Sequence, residues 1–204
     1  MATSVLLIAC GALAREIHEL QRLNGWQHVT LECLPAGLHN TPKKIPEAVR
    51  AKIEAARGEY EMIFVAYGDC GTGGLLDAML EEYGVERLPG THCYEFFTGS
   101  ERFARLSKAE PGSFYLTDFL VRHFERLVYQ GLGLDRHPEL LSVYFRNYRR
   151  LVYLAQIKSP ELEEKAKESA RRLGLEYQYH YTGLAQLEGG LRTVSEEGAR
   201  WQNS

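Results

Sequence analysis

The chain carries four cysteines, and each follows a short apolar run. Cys10 comes directly after Ser4–Ala9, and Cys33 lies near the end of His28–Leu34. Cys70 stands just past Met62–Tyr67, and Cys93 a few residues past Val85–Leu88, beside His92. If these runs are parallel strands, their exits share the carboxyl edge of one sheet, where such sheets place ligands. Thiols converging there can hold zinc, or an iron–sulfur cluster with one open iron. Cys10, Cys70 and Cys93 form that metal set, with zinc the first expectation. Cys33 precedes Leu34 and reads as a structural residue facing the sheet. No C-x-x-C pair is present, so spacing alone does not identify a metal site. One alternative is that all four are small buried residues. Another makes Cys70 a nucleophile with His39 as its base.

Other groups fall at the same edge. Gly68-Asp69-Cys70-Gly71-Thr72-Gly73-Gly74 joins a strand to a helix, and its amides could cradle a carboxylate or phosphate. Gly11, Gly68, Gly71, Thr72 and Gly73 are therefore candidate ligand-binding positions, with a plain tight turn as the alternative. The frame is neither a dinucleotide fingerprint nor a phosphate loop with its lysine, so no nucleotide cofactor is expected. His39 and Asn40 follow the second strand in a Pro-rich loop. His39 reads as an acid–base group and Asn40 as a ligand contact. Asp69 either orients a ligand or caps the next helix. Arg149 and Arg150 read as solvated surface, and His123 and His180 have no distinguishing context.

The elements that must position these groups alternate. Ser4–Ala9, His28–Leu34, Met62–Tyr67 and Val85–Leu88 read as strands; Ala12–Leu23, Pro46–Ala56 and Leu75–Tyr83 read as helices. From about 94 to 149 the pattern is mainly helical, with Leu116–Tyr129 and Pro138–Tyr148 the longest candidates and Thr117 or Asp118 as a cap. Leu151–Ala155 returns to a strand. Ser159 caps a helix that carries Pro160 at its first position and ends at Gly174. Glu176–Tyr181 closes the sheet. The expected fold is α/β and Rossmann-like: a three-layer, mostly parallel sheet with helices on both faces and a helical insertion after the fourth strand. The expected domain is single, over 1–190, with a frayed tail at 191–204.

Composition narrows the classes. The 204 residues are 45% hydrophobic and 25% charged, ordinary for a folded domain. The net charge of −3 and the absence of a long basic run exclude a nucleic-acid partner from the expectation. No apolar run approaches the roughly 18 residues of a membrane span. The first apolar stretch also lacks a basic leader, so a cytoplasmic setting is expected. The alternating Tyr177, Tyr179 and Tyr181 fit either a homo-oligomer or burial within one chain.

These residues also resemble the family called domain of unknown function 1638. The segments that carry the likeness are Ala9–Leu13, Leu34–Asn40, Tyr67–Gly71, His92-Cys93, Phe114–Thr117 and Gly131–Pro138. It runs roughly from Leu6 to Leu184. The family often continues the Leu-Thr element with Pro-Gly-Trp, where this chain has Asp118-Phe119-Leu120. Its members are often encoded near corrinoid-dependent methyltransferases. The resemblance therefore implies one-carbon or methyl-transfer metabolism, with proteins of that system as partners. The combined expectation is a metal-binding protein acting on a small anionic molecule. The alternatives are a binding module without chemistry and a cysteine-nucleophile enzyme.

Overall fold

The structure is a computed structural model and describes residues 4–200, with side chains for 4–196. In chain order, β1 (Val5–Cys10) leads through a 3-10 turn into α1 (Ala14–Asn24), then β2 (Val29–Leu34). Two further 3-10 turns, Ala36–Asn40 and Pro42–Lys44, precede α2 (Ile45–Ala55), β3 (Met62–Ala66), α3 (Leu75–Tyr83) and the two-residue β4 (Glu86–Arg87). Next come α4 (Tyr94–Thr98), α5 (Ser100–Ala109), β5 (Ser113–Thr117), α6 (Asp118–Arg122), a π-helical turn Glu125–Tyr129 and α7 (Leu140–Phe145). The chain finishes with β6 (Arg150–Ala155), α8 (Pro160–Leu173), β7 (Glu176–Tyr181) and α9 (Ala185–Arg200).

This is an α/β fold built on parallel sheets with flanking helices. The strands form two sheets, in the orders β2-β1-β3-β4 and β5-β6-β7. The chain correspondingly divides into two compact units. One comprises the chain up to Phe96 together with the stretch from Gln186 onward; the other is Phe97–Ala185. The sequence suggests one sheet continuing past β4. That strand offers only two ladder residues, and Pro89 behind it has no N–H to extend the ladder.

In the first unit the step from β1 to β2 and the step from β2 to β3 cross the sheet in opposite directions. Right-handed crossovers then put α1 on one face and α2 and α3 on the other. Accordingly, Leu6, Ile8 and Val65 pack with Val49, Ile53, Leu76 and Leu80 of α2 and α3. Val5, Leu7 and Ala9 point the other way and are equally buried, as a sheet covered on both faces requires. Residues 191–200, expected to be frayed, belong to α9, whose Leu187, Leu191 and Val194 are buried. Their 3–4 spacing gives the helix an apolar stripe to dock. Residues 201–204 lie outside the described residues.

In the second unit both crossovers run the same way, so α6, α7 and α8 share one face. There Val121, Phe145, Leu162 and Ala166 meet Leu116, Leu151 and Tyr153. On the opposite face, Phe103 of α5 packs against Tyr115 in a tilted arrangement, ring centroids 5.1 Å apart. Ser159 caps α8 with its hydroxyl, which accepts the Leu162 N–H at 3.3 Å, and Gly174 ends that helix with φ +71°. The stretch read as an insertion contains β5. Thr117 is the N-cap, accepting the Leu120 N–H, and a cap residue is extended, so strand and helix abut with no loop between them. At this sheet's carboxyl edge the buried Asp118 carboxylate accepts the Tyr153 hydroxyl at 2.7 Å. It also accepts the N–H groups of Gln156 at 3.0 Å and Ile157 at 3.1 Å. Arg150 is likewise committed within the unit, donating to Gln178 at 2.9 Å.

Candidate functional site

In the first sheet β1 and β3 are neighbours, yet the chain leaves them in opposite directions, toward β2 and β4. That is the switch point, where the connections diverge and leave a crevice outside the strand ends. Cys10 ends β1, and Tyr67-Gly68-Asp69-Cys70 leaves β3.

Two glycines draw the strand exits together. A Cβ on Gly11 would sit 2.9 Å from the Leu34 carbonyl oxygen, so a glycine is needed for the β1 and β2 exits to touch. A Cβ on Gly68 would lie 3.0–3.1 Å from three backbone atoms of His92. Beside it, the Asp69 N–H donates to the Gly90 carbonyl at 3.1 Å and the Cys70 N–H to that of Thr91 at 2.8 Å. The β3 and β4 exits therefore run side by side, which places Cys70 against Cys93.

The Gly-rich loop is held by its own aspartate. The Asp69 carboxylate accepts the Thr72 hydroxyl at 2.6 Å, the Gly74 N–H at 2.8 Å, and the N–H groups of Gly71 and Gly73 at 3.2 Å each. These donors lower its pKa to about 2, the Thr72 hydroxyl contributing most. This corrects the expectation of an anion cradle at Gly71, Thr72 and Gly73. Their donors already serve a carboxylate, and Asp69 is the anchor of the loop.

Cys70 is the one non-glycine among the described residues with a positive φ, +48°. Such a conformation costs an L-residue roughly 1–2 kcal/mol and persists only where its surroundings hold it. The Cys93 thiol and the backbone N–H groups of Cys93 and Gly68 donate to the Cys70 sulfur. They bring its pKa down to about 7, against burial and the nearby Asp69 charge. Cys93 moves the opposite way, well above the usual thiol range, because its proton is held against the Cys70 sulfur and burial disfavours its charge.

Cys10 is partly buried, and burial raises its pKa, while the Ala12 N–H and the Tyr67 hydroxyl pull the other way. Tyr67 is a site residue that the sequence reading passed over. It is 2% exposed, and its hydroxyl lies against the Cys10 sulfur with no nitrogen or oxygen partner among the described residues. A tyrosine closing an otherwise apolar strand, just before a glycine, was the available signal. Cys33, expected to face the sheet, is exposed. His39 and Asn40 lie in the 3-10 turn after β2. His39 is exposed at the surface, and the surrounding protein and then the His92 charge lower its pKa. No hydrogen bond joins His39 to Cys70 among the described residues. His92 contributes its backbone to the Gly68 contact.

Among the described residues, no three His, Cys, Asp or Glu side chains are gathered in an arrangement that could hold a metal ion. Cys10, Cys70 and Cys93 are nevertheless close enough that the charges of Cys10 and Cys70 act on Cys93. No helix among the described residues is long and apolar enough to cross a membrane.

A family profile described as protein of unknown function (DUF1638) matches residues 33–191, well over half of the chain. The chain belongs to that family. The match covers Cys33, Cys70 and Cys93 but begins after Cys10. No curated protein and no solved structure matches the chain.

Proposed function

We propose that the crevice between the β1 and β3 exits is a thiol-centred site for a small molecule, with Cys70 as its reactive group. The observation that carries this reading is the Cys70 sulfur itself. It is presented on a left-handed backbone at the switch point and takes hydrogen bonds from the Cys93 thiol and two amides. Charge-assisted bonds of this kind favour the thiolate, which is the nucleophilic form. In a transferase or hydrolase reaction its lone pair would form the new bond to an electrophilic centre. The leaving group would take the electrons of the bond that breaks.

The proximity of Cys10, Cys70 and Cys93 favours a second reading. A zinc ion or an iron–sulfur cluster would find its thiolates there, with Cys10 drawn toward the other two. When bound, zinc would activate a thiol or water at its open position. A place in corrinoid-linked methyl transfer rests on the family resemblance, and the geometry adds nothing to it.

The test pairs elemental analysis of anaerobically purified protein with alkylation of its cysteines across pH. The proposal expects one fast thiol, mapping to Cys70 and lost in Cys70→Ser. Because its pKa is lowered, the reactive fraction rises with pH through about 7, two units below an ordinary thiol. At pH 7 about half of Cys70 is thiolate, against ~1% for an ordinary thiol. A roughly ten-fold lower intrinsic nucleophilicity leaves Cys70 about five-fold faster than exposed Cys33. One equivalent of zinc, or several of iron, absent from Cys70→Ala would replace this reading with the metal centre. Uniformly slow alkylation would leave a binding module with inert thiols.

A further inference from the structure

We infer that Cys70 and Cys93 form a redox couple that passes two electrons to a low-molecular-weight disulfide, with Cys93 as the resolving thiol. This rests on the reading of Cys70 as the reactive group and adds an activity to it. The two thiols lie close enough to shift each other's pKa in opposite directions, Cys70 down and Cys93 up. Their backbones are tied by the Cys70 N–H to Thr91 carbonyl bond at 2.8 Å and the Asp69 N–H to Gly90 carbonyl bond at 3.1 Å. Gly68 allows the β4 exit to press against the β3 exit with no side chain between them. A disulfide needs its two Cα atoms within about 7 Å, and these bonds keep Cys70 beside the segment that leads into Cys93. Cys10 is less suited to resolve the intermediate, because its sulfur is engaged by the Ala12 N–H and the Tyr67 hydroxyl.

The left-handed φ of Cys70 gains a purpose here. In the loop Gly68–Gly74 glycines hold the left-handed positions 71, 73 and 74, and only at 70 does a side chain occupy one. Held in that conformation, the Cys70 thiol interacts with the Cys93 thiol.

The steps balance. The Cys70 thiolate attacks one sulfur of the external disulfide RSSR, giving a mixed disulfide and releasing RS⁻. Cys93 then attacks the Cys70 sulfur, and its proton goes to the departing thiolate, which leaves as RSH. The protein pair is oxidised by two electrons and the external disulfide is reduced to RSH and RS⁻.

The experiment uses the full chain, reduced, freed of reductant and incubated with oxidised glutathione, then mapped by mass spectrometry without reduction. The expected product has lost two hydrogens at this pair, retains no glutathione on Cys70 or Cys93 whatever the exposed Cys33 carries, and yields a linked pair of peptides containing Cys70 and Cys93. In Cys93→Ser and Cys93→Ala the reaction stops with one glutathione on Cys70. Glutathione persisting on Cys70 of the unaltered chain, or a bridge to Cys10, would overturn this inference while leaving Cys70 as a reactive thiol. Failure of Cys70 to react at all would sink both readings. The unaltered chain decides the matter even if a Cys93 variant folds poorly.

Discussion

The two sheets end in carboxyl edges that treat their polar residues in opposite ways. At the second, Asp118 follows β5 directly and is 1% exposed, and the Tyr153 hydroxyl and two backbone amides satisfy its carboxylate. Those three donors commit that carboxylate to holding the fold. At the first edge Asp69 is spent in the same way on its own loop, but the thiols beside it are not. Cys70 sits in a strained backbone with its sulfur collecting donors, and the buried Tyr67 hydroxyl faces a sulfur. A polar group at a strand exit is thus structural when its neighbours exhaust its bonding capacity, and a candidate for chemistry when they leave reactivity in place.

The sharpest way to break this contrast is at Asp118. Replacing it with alanine orphans two buried donors, the Tyr153 hydroxyl and the Gln156 N–H, each worth about 1–3 kcal/mol when unsatisfied, and leaves the more exposed Ile157 N–H to solvent. Asp118→Ala is expected to lose about 3–5 kcal/mol in urea unfolding, while the fast alkylation of Cys70 persists in whatever remains folded. A loss under about 1 kcal/mol would show that the Asp118 network is not structural, and the two edges would no longer differ in kind.

The next effect is smaller and belongs to the first edge. A methyl group on Gly68 would meet three His92 backbone atoms at 3.0–3.1 Å, and backbone gives way less readily than a flexible side chain. Overpacking of this kind costs roughly 1–3 kcal/mol. Gly68→Ala should also part the β3 and β4 exits, so the fast thiol phase at neutral pH should slow toward the rate of Cys33. Unchanged alkylation alongside lowered stability would separate the Gly68 contact from the Cys70–Cys93 pair.

The sequence made the placement of the thiols legible, because position after an apolar run decides which edge a residue reaches. The caps at Ser159 and Gly174 were legible for a similar reason, since local hydrogen bonding and backbone freedom determine them. Two features were not. β5 was hidden because Leu116, Leu120 and Val121 also fit a helical spacing, and Thr117 joins strand to helix with no intervening loop. The fate of the Gly-rich loop was hidden because the same amides serve a bound anion or an internal carboxylate equally well. Only the trajectory of Asp69 decides between them. The pairing of Cys70 with Cys93 likewise depends on where Gly90 and Thr91 run beside β3, which no spacing records.

The smallest expected effect tests whether the first edge holds unspent polarity at all. Tyr67 buries a hydroxyl that touches the Cys10 sulfur and no nitrogen or oxygen among the described residues. A sulfur is a weak acceptor, so that hydroxyl gives up its hydration for little return. Tyr67→Phe keeps the ring and its packing, and should therefore leave stability unchanged or raise it by up to about 1 kcal/mol. It also removes one of the two donors that oppose the upward shift of Cys10, so the alkylation midpoint of Cys10 should move to higher pH while that of Cys70 stays near 7. A clear loss of stability in thermal unfolding would mean that the hydroxyl has a strong partner in solution. The first edge would then resemble the second more closely, with Tyr67 as well as Asp69 committed to holding the fold.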